Sequence, residues 1–252
     1  MASSLVSSLR PSLAFNPPTR APRRFHALLR GLLLAGLFAP FFAANLHAEA
    51  TDYLSQLESE IVRQHNLARR DPALYATYLE ALLPLFDGKI LREPGRIALR
   101  TSEGASAVRE AIRFLKKASS ASRFQPSRGM SQAARDHVQD IGASGSVEHE
   151  GRDGSQPWDR VNRHGRWGET VGENMAFGAF RPEDARTVVM QLLIDDGVSS
   201  RGHRTNIFNR RFHTIGVSCG PHASYDEACV IDYAGSYEEN SQQPASPAPE
   251  AP

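Results

Sequence analysis

Three short polar segments, each set in a glycine-rich stretch, carry the side chains best suited to chemistry. Glu148-His149-Glu150 places an imidazole between two carboxylates. Gly172-Glu173-Asn174 sets a carboxylate just ahead of the apolar Met175-Ala176-Phe177, and Gly202-His203 puts a second imidazole at an apparent helix start. Imidazole changes charge near neutral pH and is the commonest metal ligand, so proton transfer, hydrogen bonding to a ligand and metal binding are the chemistries on offer. Compact catalytic signatures are missing. His149-Glu150 begins an H-E-x-x-H pattern, but the next histidine is His164; residues 142–146 read GASGS and miss G-x-S-x-G; there is no phosphate-binding loop, no G-x-G-x-x-G and no C-x-x-C. A site in this chain must be assembled from distant segments, and each histidine taken alone reads as a solvated or turn residue.

The rest of the sequence determines what can hold such a site. With 29 basic and 28 acidic residues among 252, the net charge is +1, which leaves no bulk basic field and excludes a dedicated nucleic-acid binder. Residues 1–30 hold five arginines and no acidic residue, and Gly31 to Ala44 is an apolar run shorter than the roughly 20 residues a bilayer span needs. Ala48-Glu49-Ala50 follows as a small-residue exit. Residues 1–50 therefore read as a signal peptide, cleaved after Ala48 or Ala50, with the mature protein secreted or periplasmic and lacking a transmembrane span. Removing them takes away five basic and one acidic residue, turning +1 into −3. Residues 238–252, EENSQQPASPAPEAP, have no large apolar side chain and read as a disordered Pro/Ala-rich tail. The folded part is then 51–237, enough for one domain.

Within it, helical spacing predicts helices over 52–69 (with Asp52 as cap), 73–83, 102–118, 129–142 and 182–195, and a short segment over 203–210. Residues 85–100 read as loop. Residues 142–178, rich in glycine, read as a long irregular region of the kind that carries function. Residues 214–219 and 228–234 read as the two strands of a hairpin. Helices first and strands last give an α+β class with an antiparallel sheet. Cys219 and Cys229 lie on those strands and can pair in an oxidising compartment, a closure worth about 2–3 kcal/mol. A catalytic thiol has no neighbouring feature to activate it.

Read in order, HEGRDGS (149–155), GEN (172–174), RGHRTNI (201–207) and IGVSCG (215–220), preceded by the N-x-x-R of Asn66 to Arg69, resemble the CAP superfamily of cysteine-rich secretory proteins, antigen 5 and plant pathogenesis-related 1, in the manner of its bacterial secreted members. The resemblance implies a single-domain, three-layer α-β-α sandwich with a central antiparallel sheet and a cleft into which two histidines and two acids point. His149, Glu173 and His203 map onto three of these. The fourth usually lies in W-x-x-E; here 192–195 read LLID, making Asp195 the candidate and Asp196 the fallback. Residues 85–128 exceed a minimal family domain, as an inserted loop and helix would.

Two imidazoles and two carboxylates in one cleft can hold a divalent metal such as zinc, with His149 and His203 as ligands, or can pair so that each carboxylate orients an imidazole. None of the four is a nucleophile, so catalysis would need a water. The resemblance implies a binding module for a small hydrophobic ligand or a cell-envelope glycan, with or without a metal. A metal-dependent hydrolase acting on peptide or cell-wall material is the alternative, and a purely structural protein a third reading. Beside the cleft set, His137 reads as a packed helix histidine, and His164, His213 and His222 as surface or turn residues. Trp158 and Trp167 either line a cleft or wedge under a loop, and Arg152, Arg160, Arg163 and Arg166 form a solvated basic face.

Overall fold

The computed structural model describes residues 51–240; the expected signal peptide and residues 241–252 of the expected tail lie outside the described residues. Helix α1 is Gln56–Arg70. It starts later than an Asp52 cap predicts because Ser55 caps it instead: the Ser55 hydroxyl accepts from Glu58 N at 3.3 Å while Glu58 Oε2 accepts from Ser55 N at 2.7 Å, a reciprocal capping box. Asp71 ends α1 and caps α2, Pro72–Glu80, through Leu74 N. The segment 85–100 is not a plain loop: β1 Phe86–Asp87, β2 Ile90–Leu91 and β3 Leu99–Arg100 make a small antiparallel sheet, followed by helix α3, Ala105–Lys117.

The central sheet has the order β4-β6-β7-β5, from β4 Gln125–Pro126, β5 Gly165–Gly178, β6 Thr214–His222 and β7 Asp226–Glu239. It is antiparallel except at one edge, where the two-residue β4 runs parallel to β6. Helices α4, Arg128–Ser144, and α5, Pro157–His164, cover one face, packing Met130, Ala133, Val138 and Val161 against Met175, Val230 and Ala234. Helices α1, α2, α3, α6 (Ala185–Ile194) and α7 (Gly202–Phe208) cover the other, around Ile215, Val217, Ile231 and Tyr233. The result is an α-β-α sandwich within the α+β class. Among the described residues no helix is long and apolar enough to cross a membrane.

The largest departure from the sequence expectation is 142–178, which holds α5 and the 14-residue strand β5. Gly145 and Gly154 do take positive φ in the loop between α4 and α5, but Gly165 and Gly172 in β5 answer to close approach instead. A Cβ at Gly165 would come within 2.3 Å of the Tyr237 ring, and one at Gly172 within 2.8 Å of Phe212, so those strand positions admit no side chain. Strand β7 also runs past its expected end at 234, and two residues past the expected end of the folded part at 237. Glu239 is held there because its carboxylate accepts from Gly129 N at 2.9 Å and Ser127 Oγ at 2.6 Å, at the positive end of α4.

Cys219 and Cys229 sit directly opposite one another in the β6–β7 ladder and form a disulfide. Replacing both by alanine is expected to lower the unfolding free energy by about 2–3 kcal/mol, read as a fall in urea midpoint at unchanged slope. A loss below about 0.5 kcal/mol, the level of an ordinary surface change, would mean that the ladder alone holds the hairpin.

Candidate functional site

Glu173 is the centre of the site. Strand β5 alternates, so Val171, Glu173 and Met175 face α4 and α5. The Glu173 side chain is only 1% exposed. Its Oε1 lies 2.7 Å from His149 Nδ1, and its Oε2 accepts from Arg160 Nη2 at 2.7 Å. Arg160, on α5, also donates to the carbonyls of His149 at 3.0 Å and Ser155 at 2.8 Å, so one guanidinium fixes both the carboxylate and the loop that carries its histidine. Burial pushes the Glu173 carboxyl up, but the His149 hydrogen bond and the Arg160 guanidinium outweigh it, and the group lies below the usual carboxylate range.

His137, expected as a packed residue with one hydrogen bond, is fully buried on α4 and donates from Nε2 to Glu148 O at 3.0 Å. That bond fixes the proton on Nε2. Burial pushes the imidazole below its ordinary value against the pull of Glu173, 3.8 Å away, so His137 is a neutral support under the carboxylate. Its Nδ1 is buried without a partner.

The second pair is built differently. Asp195 is the residue that ends α6, in the left-handed region at φ 56°, a conformation aspartate tolerates better than most side chains. Its Oδ1 lies 2.7 Å from His203 Nδ1, and its Oδ2 accepts from His203 N at 2.9 Å. Aspartate therefore serves where the resemblance implies glutamate, because the backbone turn carries it to the imidazole. The fallback Asp196 is engaged elsewhere, accepting from Ser102 N and Glu103 N just ahead of α3.

Asn174 and Asn206 stitch the two pairs together. Asn174 Nδ2 donates to His203 O at 3.0 Å, and Asn206 Nδ2 donates to Asn174 Oδ1 at 2.9 Å and to Glu173 O at 3.3 Å. Behind them, Tyr233 OH takes a bond from Asn174 Nδ2 at 3.1 Å and lies 2.9 Å from His65 Nε2. The four expected residues are thus joined as two imidazole–carboxylate pairs through their backbones. A cavity of about 230 Å³ beside His149 is lined by Gln156, Trp158, Gly172 and Glu173 among others; Asp195 and His203 are not in its wall.

In both pairs Nδ1 is held by a carboxylate, while Nε2 has no partner among the described residues. Among the described residues no three of His, Cys, Asp and Glu come together as a metal-holding group. Both oxygens of Glu173 and of Asp195 are already engaged by an imidazole and by Arg160 or a backbone N–H, and two imidazoles alone fall short of the three or four protein ligands of a zinc site, so the donor set does not fit a resident metal at His149 and His203.

Arg160 and Asp232 are buried charged residues beside Glu173 that the sequence expectation missed. Arg160 is buried rather than part of a solvated face, while Arg152, Arg163 and Arg166 pair on the surface with Asp140, Asp153 and Glu238. Asp232 lies opposite Glu173 in the β5–β7 ladder, fully buried, with neither carboxyl oxygen hydrogen-bonded. The alternation Val230, Asp232, Ala234 on the α4 face carried that signal. Trp167 packs as a wedge, whereas Trp158 is half exposed at the cavity. His222 is buried at the hairpin end, 2.9 Å from Ser146 O, rather than on the surface.

The CAP family profile, described as the cysteine-rich secretory protein family, matches residues 62–233. Solved structures similar to the chain include an outer surface protein from Borrelia burgdorferi, at 16% identity and TM-score 0.38, covering 45% of this chain and 78% of that one. Another is an extracellular protein containing an SCP domain from Bacillus anthracis, at 21% identity and TM-score 0.34, covering 45% of this chain and 34% of that one. No curated protein matches the chain.

The buried charges can be tested by substitution. Arg160→Leu strands the Glu173 carboxylate and is expected to cost about 3–5 kcal/mol; Arg160→Leu/Glu173→Leu should recover much of that loss, measured by chemical denaturation. Burial pushes the Asp232 carboxyl well above its ordinary value, with Glu173 adding to the effect and Arg160 opposing it. An acid raised in the folded state costs stability that grows as pH climbs from about 4 towards the raised value. Asp232→Asn should therefore raise the melting temperature more at pH 7 than at pH 4. An equal gain at both pH values would show that Asp232 is not held protonated.

Proposed function

Because the chain belongs to the cysteine-rich secretory protein (CAP) family, we propose that it is an exported binding module whose His149 cavity takes a hydroxyl-bearing ligand of cell-envelope glycan type. One observation carries this reading: the buried Glu173 fixes His149 through Nδ1 and leaves Nε2 free beside the half-exposed Trp158 ring. With its proton on Nδ1, the imidazole offers a fixed acceptor at Nε2 for a ligand hydroxyl. The indole offers a flat apolar face for the C–H side of a sugar ring. The Cys219–Cys229 bond and the N-terminal basic–apolar–small pattern support secretion or a periplasmic location.

The hydrolase reading gains no observation in its favour. Among the described residues no serine, threonine or cysteine side chain hydrogen-bonds to His149, Glu173, Asp195 or His203, so a hydrolase built on these four would have to act through a water.

Calorimetric titration of soluble cell-envelope oligosaccharides into the exported protein tests the proposal. His149→Ala and Trp158→Ala are each expected to weaken binding by tenfold or more, about 1.4 kcal/mol, with the fold unchanged by circular dichroism. Wild-type affinity in both variants, or turnover of the oligosaccharide by the wild type, would overturn it.

A further inference from the structure

Six basic side chains gather where the chain leaving α3 crosses the end of α1 and the loop that follows α7. Arg113 and Lys117 lie one turn apart on α3, Arg123 stands on the segment after it, Arg70 closes α1, and Arg210 and Arg211 follow α7; all six are exposed. Hydrogen bonds bring these segments together: Ala121 N donates to Arg69 O at 2.8 Å, and Arg210 Nη2 donates to Ser120 O at 3.1 Å. The buried Arg69 locks them from beneath, donating to the carbonyls of Ser122, Asn209 and Phe212.

These cations are short of acids. None of the six makes an ion pair among the described residues; Arg210 and Arg211 each donate to a backbone carbonyl instead. By contrast Arg63, Arg128, Arg152 and Arg166 each meet a carboxylate. In the adjoining segments Asp71 is committed to Leu74 N, Glu80 to Lys116, and Glu110 to Arg201 and Arg204. Glu169, whose carbonyl holds Arg211 at 3.3 Å, is the neighbouring acid left without an ion pair among the described residues. Beyond residue 50 the chain is net −3, so this face runs against the sign of the whole. Basic residues in a last turn complement the helix macrodipole, which accounts for Arg70 and Lys117 but not for Arg113 in mid-helix or for the three arginines on loops. Uncompensated like charges repel and work against the compact state, and an anion laid across them removes that cost.

The side chains of the face select the anion. Five of the six are guanidiniums, whose planar fork engages two phosphate oxygens at once. The large apolar residues left exposed among those described are Ile97, Leu99, Val147, Trp158 and Tyr225. None lies in these segments, so the face has no apolar anchor for a bilayer and no exposed ring on which a nucleobase could stack.

We propose that this face binds a linear phosphodiester polyanion without bases, of the polyol-phosphate type, its phosphates engaging the six cations. The face shares no residue with the His149 cavity, and binding here is independent of binding there.

The test follows lipid-free poly(glycerol phosphate) binding to the exported full chain by fluorescence anisotropy between about 50 and 200 mM salt. Each phosphate neutralised on a flexible chain contributes about −0.7 to the slope of log affinity against log salt, so a slope of roughly −4 is expected if all six cations engage. Lys117→Gln/Arg123→Gln, at two positions without intramolecular partners, should weaken binding by about fivefold or more at the lower salt and make the slope shallower by about 1.4. Lys117→Glu/Arg123→Glu should abolish binding, with the circular dichroism unchanged. Arg152→Gln/Arg166→Gln removes the same charge from ion-paired arginines and should alter neither affinity nor slope. His149→Ala should also leave binding intact, which separates failure here from failure of the glycan reading. A slope shallower than about −1, wild-type affinity in the Lys117/Arg123 variants, or an equal loss in the Arg152/Arg166 variant would overturn the proposal. So would tighter binding to poly-glutamate, to an oligonucleotide or to phosphatidylglycerol vesicles, which would assign the face to an acidic protein, a nucleic acid or a membrane.

Discussion

Arg160 and Glu173 meet at 2.7 Å with side chains only 2% and 1% exposed. Taking two charges out of water costs several kcal/mol per ion, and their attraction repays this only when further hydrogen bonds complete both groups. That requirement organises the surroundings. Arg160 turns Nη1 and Nη2 to the carbonyls of Ser155 and His149, leaving Nε as its one donor without a partner, which fixes the loop between α4 and α5. Glu173 turns its other oxygen to His149. His137 fills the space below with a neutral ring, its proton committed to the Glu148 carbonyl. The loop position of His149, its ring orientation and the burial of the carboxylate are thus consequences of one charge pair that has to be satisfied.

A second set of polar contacts ties that pair to the other side of the sheet. The buried His65 bonds through Nδ1 to Ile61 O at 2.9 Å, which leaves Nε2 to accept from Tyr233 OH; burial pushes this imidazole down to about 4, so it stays neutral. Tyr233 in turn accepts from Asn174, and Asn174 holds the His203 carbonyl and Asn206. Nearby, Arg69 spends its donors on the carbonyls of Ser122, Ile207, Asn209 and Phe212, which anchors the end of α7 and the chain beyond it. The asparagine and arginine of the N-x-x-R opening are therefore scaffold: Asn66 exchanges both its amide groups with the backbone of Phe124. A buried polar network stiffens a fold most where its donors and acceptors are paired, as those of Asn66 and Arg69 are.

These particulars explain which parts were legible in the sequence. Helices α1, α3, α4 and α6 announce themselves by apolar periodicity, and the hairpin of β6 and β7 by β-branched runs with a cysteine on each arm. His149, Glu173 and His203 stand out because glycines and polar neighbours surround them in a recognisable order. Strand β5 was hidden because its glycines read as loop punctuation, whereas the structure needs them where Tyr237 and Phe212 press against the backbone. Arg160 was hidden because burial is a tertiary property: three other arginines within eight residues of it lie at the surface, and nothing local distinguishes it. Asp232 sits in a run that reads as an ordinary strand, and only its inward register, opposite Glu173, gives it meaning.

The two imidazole–carboxylate pairs look alike in sequence but rest on different physics. Glu173 is held by another side chain's charge. Asp195 is held by geometry: a left-handed residue closes α6, and its carboxylate then meets the first backbone N–H groups of α7 as well as the His203 ring. Arg201, itself left-handed, locks this turn by donating to Asp195 O and forking onto Glu103, and Glu103 in turn accepts from Gly197 N. The segment that carries Glu103 also carries β3 and leads into α3. The turn that fixes the second histidine is therefore fastened to the chain ahead of α3, so His203 keeps its orientation only while that segment stays packed against the end of α6.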